Sequence, residues 1–329
     1  MIARRKLLIA IGAGTFAVSF TALAQKPSSK APRVGYLFSF TPAEGQHLWD
    51  ACRQGLRDLG YVEGRNILLE PRWAEGRHDR LPELARELVR LPVDVLVAAA
   101  TPANLAAKAA TSTIPIVMVG VGNPIKVGLV TNLARPGGNI TGLSLLTTEL
   151  SGRRLQLLLE VMGRNGRVAA LINPDNDVHA VFLEETREAA AKLGVQLETL
   201  RARNEPEMRQ AFEAAGAKRA EAMVFFDDPV LWSHRKQAVA LAARYRLPVV
   251  YGYTDFVDEG GLISYGPDRP EQYRRTAIYV DRILKGARPA TLPIEQPTKY
   301  ELAVNIKTAK TLGLTIPPSI LVRADKVIE

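Results

Sequence analysis

Val93-Asp94-Val95-Leu96-Val97-Ala98-Ala99-Ala100-Thr101-Pro102-Ala103-Asn104 decides how this chain folds. Val93–Ala99 is an almost unbroken apolar run, too short for a helix of ordinary length and bounded by turn-forming residues. Such a run suits a strand buried on both faces, as in a parallel sheet. Thr101-Pro102 then reads as a helix start, with Thr101 as N-cap and Pro102 as the first helical residue. Strand, tight turn and helix together make one half of a βαβ unit.

The same half-unit recurs in both directions along the chain. Val34–Phe38, Pro115–Val121, Val168–Ile172, Ala222–Phe226 and Pro248–Tyr251 are further apolar runs. Between them lie helical stripes: Leu48, Cys52, Leu56 and Leu59; Leu84, Leu88 and Leu91; Leu155, Leu158, Leu159 and Met162; Tyr273, Ala277, Val280 and Leu284. Gly60, Gly194 and Gly286 close helices just ahead of the next strand. The alternation falters at 132–148, where Asn132–Asn139 is a turn followed by Ile140–Leu145, and it resumes at Glu149. With 329 residues, more than one core is expected. The predicted fold is therefore α/β, with two doubly wound parallel-sheet lobes. Ligands bind at the carboxyl ends of such strands.

Composition narrows the function. Of the formal charge of +9, three positive charges belong to Arg4, Arg5 and Lys6. The rest are interspersed with acids, as in Arg80, Glu83, Arg86, Glu87 and Arg90, which excludes the gathered basic face of a nucleic-acid binder. Arg4-Arg5-Lys6, the apolar Leu7–Phe20 and the small-x-small Ala22-Leu23-Ala24 predict a signal peptide over 1–24, cleaved after Ala24. The Sec and twin-arginine routes both stay open. The single cysteine, Cys52, sits in a helical stripe rather than after the apolar segment, so neither a disulfide nor a lipid anchor is expected. A periplasmic location follows.

Several stretches identify a family. Ala99-Ala100-Thr101-Pro102-Ala103, Thr113-Ile114-Pro115-Ile116-Val117, Leu133-Ala134-Arg135-Pro136-Gly137-Gly138-Asn139-Ile140-Thr141-Gly142, Gly260-Gly261-Leu262-Ile263-Ser264-Tyr265-Gly266-Pro267 and Leu312-Gly313-Leu314-Thr315-Ile316-Pro317 resemble the ABC-transporter substrate-binding proteins once catalogued as a domain of unknown function. The better-known members of that family look like tryptophan-binding proteins. The resemblance runs from about Arg33 to Glu329 and implies a type I periplasmic binding protein, whose lobes are joined by a three-segment hinge. It divides the chain into 32–142 plus 267–290 and 143–266 plus 291–329. It also implies a small-molecule ligand, and an ABC permease with its ATPase as partners. One departure is Gly122-Asn123-Pro124, where the family usually shows Gly-Asp-Pro.

Candidate ligand-binding residues stand at the open strand ends. In the first lobe these are Ser39, Phe40 and Thr41, then Thr101 and Pro102 at a helix start suited to a carboxylate, then Asn123. In the second they are Asn176, the pair Asp227 and Asp228, and Tyr253. One of the two carboxylates is expected to meet a ligand ammonium group and the other to cap the helix beginning near Leu231. Four histidines without metal-ligand spacing, no Gly-x-Ser-x-Gly elbow and an incomplete dinucleotide fingerprint argue against an enzyme, a metal or a cofactor. The expected protein is a monomeric periplasmic binding component of an importer, closing on an amino acid or related carboxylate. A sensory binding protein that serves a receptor shares every one of these features.

Overall fold

In the computed structural model, which describes residues 31–145 and 150–329, the carboxyl ends of two sheets face one another across a cleft. The predicted signal peptide lies outside the described residues. The first series runs β1 (Arg33–Phe38), α1 (Pro42–Asp58), β2 (Leu68–Trp73), α2 (Leu81–Arg90), β3 (Val95–Ala99), α3 (Thr101–Ala110), β4 (Ile116–Val121) and β5 (Ile140–Ser144). Its five strands are parallel, in the order β2-β1-β3-β4-β5.

The second series runs α4 (Leu150–Met162), β6 (Arg167–Ile172), α5 (Val178–Lys192), β7 (Gln196–Arg201), α6 (Glu205–Ala217), β8 (Ala222–Phe225), α7 (Pro229–Ser233), α8 (Arg235–Arg244), β9 (Val249–Tyr251), α9 (Thr254–Asp258) and β10 (Ile263–Pro267). The long α10 (Arg269–Leu284) follows, then β11 (Tyr300–Asn305), α11 (Ile306–Leu312), α12 (Pro318–Leu321) and β12 (Lys326–Ile328). The second sheet has the order β12-β11-β10-β9-β8-β6-β7, and only β11 against β10 is antiparallel.

Both faces of each sheet are covered, as the apolar runs require. In β1, Val34, Tyr36 and Phe38 pack toward α1 and α10, while Leu37 joins Leu84 and Leu88 of α2 on the other face. The two-residue period of a strand produces this division. α1 begins at a capping box in which the Glu44 N–H donates to Thr41 Oγ1, and Pro42 takes the first helical position, where no N–H is needed. α10 returns to the first lobe and lies along α1, beneath β3 to β5.

The chain crosses between the sheets three times: after β5, between β10 and α10, and ahead of β11. Two crossings fall later than the divisions drawn at 142/143 and 290/291. The Ser144 N–H donates to Glu295 O at 2.9 Å, and the Glu295 N–H donates to Gly142 O at 3.0 Å. The edge of β5 would otherwise carry unpaired backbone groups, and the strip ending at Glu295 satisfies them. Among the described residues no helix is long and apolar enough to cross a membrane.

Candidate functional site

The cleft between the sheets has about 490 Å³ not filled by atoms, its open mouth included. Its first-lobe wall comes from the ends of β1, β3 and β4 and the start of α10: Phe40, Ala100, Thr101, Gly120, Arg269 and Tyr273. Its second-lobe wall comes from the ends of β6, β8 and β9 and the helices they feed: Asn176, Phe182, Asp227, Trp232 and Tyr253 among others.

The first wall is built for an anion. Helix α3 starts at Thr101, with Ala100 as N-cap and no side chain capping it. Thr101 is therefore the first helical residue, which corrects its reading as the cap. Ala100 has φ 72° and ψ 162°, a conformation that belongs almost wholly to glycine. The strained turn is held from both sides. The Ala100 N–H donates to Val119 O at 2.8 Å, and Asn104 Nδ2 donates to Ala98 O and Ala100 O at 2.7 and 2.9 Å. The result is an uncapped helix start beside the Thr101 hydroxyl, with free N–H groups and a partial positive charge.

Arg269, on the first turn of α10, adds a full charge. Its guanidinium lies between the rings of Trp232 and Tyr253, 4.3 Å from each centroid, and Nη1 is 3.5 Å from Asp255 Oδ2. Nη1 has no hydrogen-bond acceptor although the side chain is buried. Burial opposes that charge, but the Asp255 carboxylate beside it outweighs burial and moves the Arg269 pKa upward. Burial pushes the Tyr273 hydroxyl up to about 12 and that of Tyr253 well above its ordinary value, so both are neutral.

The second wall offers acceptors. Asp227 follows β8 and is buried, with Oδ2 2.8 Å from Arg154 Nη2 at an angle poor for a hydrogen bond; neither carboxylate oxygen has a hydrogen-bond donor. Asn176 Oδ1 is likewise buried and without a donor. Asp228 is the opposite case. Its Oδ1 accepts from the Val230 and Leu231 N–H groups at 2.9 and 3.0 Å and from Asn173 Nδ2 at 3.1 Å, while Oδ2 accepts from Asn176 Nδ2 at 2.9 Å. Burial would raise its pKa, but these donors, among them the Leu231 N–H and the Asn176 amide, hold it below the ordinary carboxylate value. Asp228 is thus the cap of α7 and the node of the loop. His179 is neutral: burial lowers its pKa, Nδ1 accepts from the Asn173 N–H at 2.7 Å, and Nε2 donates to Asp227 O at 3.0 Å.

Aromatic and apolar contacts bring the walls together. Phe40 meets Trp232 edge-on at 5.3 Å, and His47 Nε2 lies 3.6 Å from Asp255 Oδ1. At the other end, a Cβ on Gly122 would stand 2.8 Å from Val178 Cγ2 and 3.0 Å from Phe182 Cζ.

Six expected residues therefore line the cleft: Phe40, Thr101, Asn176, Asp227, Asp228 and Tyr253. Four do not. Ser39 is wholly buried and its hydroxyl donates to Ala99 O, tying β1 to β3. Thr41 is committed to the capping box, Pro102 is the second residue of α3 and is not among those lining the cleft, and Asn123 Oδ1 accepts the Lys126 N–H in a turn. The departure from the family pattern at Asn123 thus falls in a turn directly after Gly122, which does line the cleft. Trp232, Arg269 and Tyr273 were not foreseen. Arg269 had one signal, its place directly after the crossing at Gly266-Pro267. Among the described residues no group of three or more His, Cys, Asp or Glu side chains could hold a metal ion.

Residues 46–328 match the model of the family described as ABC transporter substrate binding protein. The chain belongs to that family. This substrate-binding protein is 29% identical, with a TM-score of 0.86, to a conserved domain protein from Vibrio cholerae O1 biovar El Tor, covering 91% of this chain and 100% of that one. It is 26% identical, with a TM-score of 0.84, to an ABC domain from Streptococcus pneumoniae solved in complex with L-Trp, with the same coverage. A tyrosine-binding protein of Clostridioides difficile is 23% identical over 262 residues, 79% of this chain and 75% of that protein. The two-lobed architecture is that of type I periplasmic binding proteins. Members of this family bind solutes rather than catalyse reactions.

Proposed function

We propose that this substrate-binding protein is exported, captures an aromatic or similarly apolar α-amino acid between its lobes, and presents the closed form to an ABC permease for import. One observation carries the ligand class: a single aromatic-walled cleft has unused acceptors on one wall and unused donors on the other. Asp227 Oδ1 and Asn176 Oδ1 suit an ammonium group. The start of α3, the Thr101 hydroxyl and Arg269 suit a carboxylate. A buried polar atom without a partner is costly, so a zwitterion spanning both walls supplies what each lacks. Phe40, Trp232, Tyr253 and Tyr273 leave an apolar or aromatic side chain as the complement of the remaining surface.

Only contacts made in the closed form shift the equilibrium toward it. A ligand bonded to both Asp227 and α3 makes such contacts. The L-Trp complex of the Streptococcus relative and the name of the Clostridioides relative support the aromatic class. Import and export rest on the family and on the Arg4–Ala24 pattern.

Calorimetric titration of the processed chain with the twenty L-amino acids tests the reading. Saturable one-to-one binding of an aromatic amino acid is expected, weakened about tenfold or more by Thr101→Val. Binding confined to sugars or polyols would overturn the ligand class. Loss of radiolabelled amino-acid uptake on deletion of the gene tests transport, and unchanged uptake would refute it.

A further inference from the structure

We infer that Arg154 is a positioning residue for ligand recognition, holding Asp227 so that one carboxylate oxygen is presented to the ligand ammonium group. The inference rests on the cleft being an amino-acid site. Arg154 lies in α4 beside Leu155, Leu157 and Leu158, buried to 1% exposure, and does not itself line the cleft. Desolvating a guanidinium is costly, and a leucine would fill such a position more cheaply. The two contacts made by Arg154 explain its presence. Nε donates to Tyr265 O at 2.7 Å, which anchors the fork, and Nη2 faces Asp227 Oδ2 at 2.8 Å.

The surrounding backbone is cleared for this pair. A Cβ on Gly252 would fall 1.6 Å from Asp227 Oδ1. One on Gly266 would fall 1.8 Å from Gly252 O and 3.2 Å from Arg154 Nη2. The ends of β9 and β10 are thus bare where the carboxylate and guanidinium lie across them. Asp227 is fixed twice more weakly elsewhere: its carbonyl oxygen by His179 Nε2, and its neighbour Asp228 by four donors. Of the carboxylate itself, only Oδ2 faces a cation; Oδ1 lies over Gly252 without a donor, as does Asn176 Oδ1 on the same wall of the cleft.

A specificity follows. Because Arg154 already balances Asp227, a bare amine would bring an uncompensated charge into a buried site. An α-amino acid brings its own carboxylate to α3 and Arg269. The Arg154–Asp227 pair therefore selects the zwitterion over either half of it.

The test uses L-tryptophan and 3-indolepropionate, which lacks the ammonium group, titrated into wild type, Arg154→Met, Arg154→Lys, Asp227→Asn and the Arg154→Met/Asp227→Asn double variant. Wild type should prefer L-tryptophan. Arg154→Met should cost L-tryptophan about tenfold or more while 3-indolepropionate changes by less than about threefold, as loss of one charge-assisted contact predicts. Arg154→Lys should recover part of the preference. Asp227→Asn should abolish it as Arg154→Met does, and the double variant should lose no more than either single, since the two act as one unit. Equal losses for both probes, or additive losses in the double variant, would overturn the assignment. Should Arg154→Met fail to fold, Arg154→Lys and the double variant, which leaves no unpaired buried charge, carry the same comparison. Wild type that binds neither probe would overturn the amino-acid reading beneath it.

Discussion

Replacing Asp228 with alanine should unfold this protein more readily before it does anything else. The sequence leaves open which of Asp227 and Asp228 meets a ligand and which caps the helix that follows. The structure commits all of the Asp228 acceptor capacity internally: two α7 N–H groups and the amides of Asn173 and Asn176, at 2.9 to 3.1 Å. Loss of the helix cap costs about 1 kcal/mol. Two further bonds to a charged acceptor are worth roughly 1.5 kcal/mol or more each, and alanine leaves every donor buried without a partner. The sum is about 3–5 kcal/mol. At an unfolding entropy of about 2.1 cal/mol/K per residue over roughly 300 residues, that lowers Tm by about 5–8 °C. Asp228→Asn keeps one oxygen for the α7 cap but turns an amide donor toward the Asn176 amide, and should cost only about 1–2 kcal/mol. Differential scanning calorimetry without ligand measures both. An alanine variant melting within about 2 °C of wild type would refute the reasoning.

Three further outcomes follow from the same contacts. Gly122→Leu should hold the lobes apart at Val178 and Phe182, lowering ligand affinity about tenfold or more with little change in the melting of the ligand-free protein; calorimetric titration beside a thermal melt checks both halves. Gly252→Ala should strike Asp227 and cost about 2 kcal/mol or more of stability, read from the same melts. Neutral His179 is favoured by burial, so its pKa is lower folded than unfolded. Its contribution is therefore complete above the unfolded value of about 6.5 and is lost as pH falls below it. Tm should fall between about pH 6.5 and 5, and His179→Gln should flatten that slope; an identical slope would exclude His179 as its source.

The parallel core was legible because its strands are apolar on both faces. Val34–Phe38, Val93–Ala99 and Pro115–Val121 could scarcely be anything else. The edge strands were not. β2 carries Glu70, Pro71 and Arg72, and β7 carries Glu198 and Arg201, because an edge is only half covered and tolerates both charge and proline. At the site, strand ends were visible but side-chain direction was not. Ser39 and Phe40 are neighbours just past the end of β1, yet one ties strands together while the other reaches the cleft. Asp227 and Asp228 are equivalent on paper, and only the position of the α7 amides distinguishes them. Arg154 carries no local mark at all, and Arg269 only its place directly after the crossing at Gly266-Pro267. Each becomes meaningful when distant elements, β8 with α4 and α7 with α10, are brought together.

The most direct measurement is a crystal structure of the processed chain grown with L-tryptophan or L-tyrosine. The account predicts one amino acid between the lobes, its nitrogen about 3 Å from Asp227 Oδ1 and Asn176 Oδ1 and its carboxylate at the first turn of α3. An amino acid bound outside this cleft, or bound within it with its two ends reversed, would contradict the account.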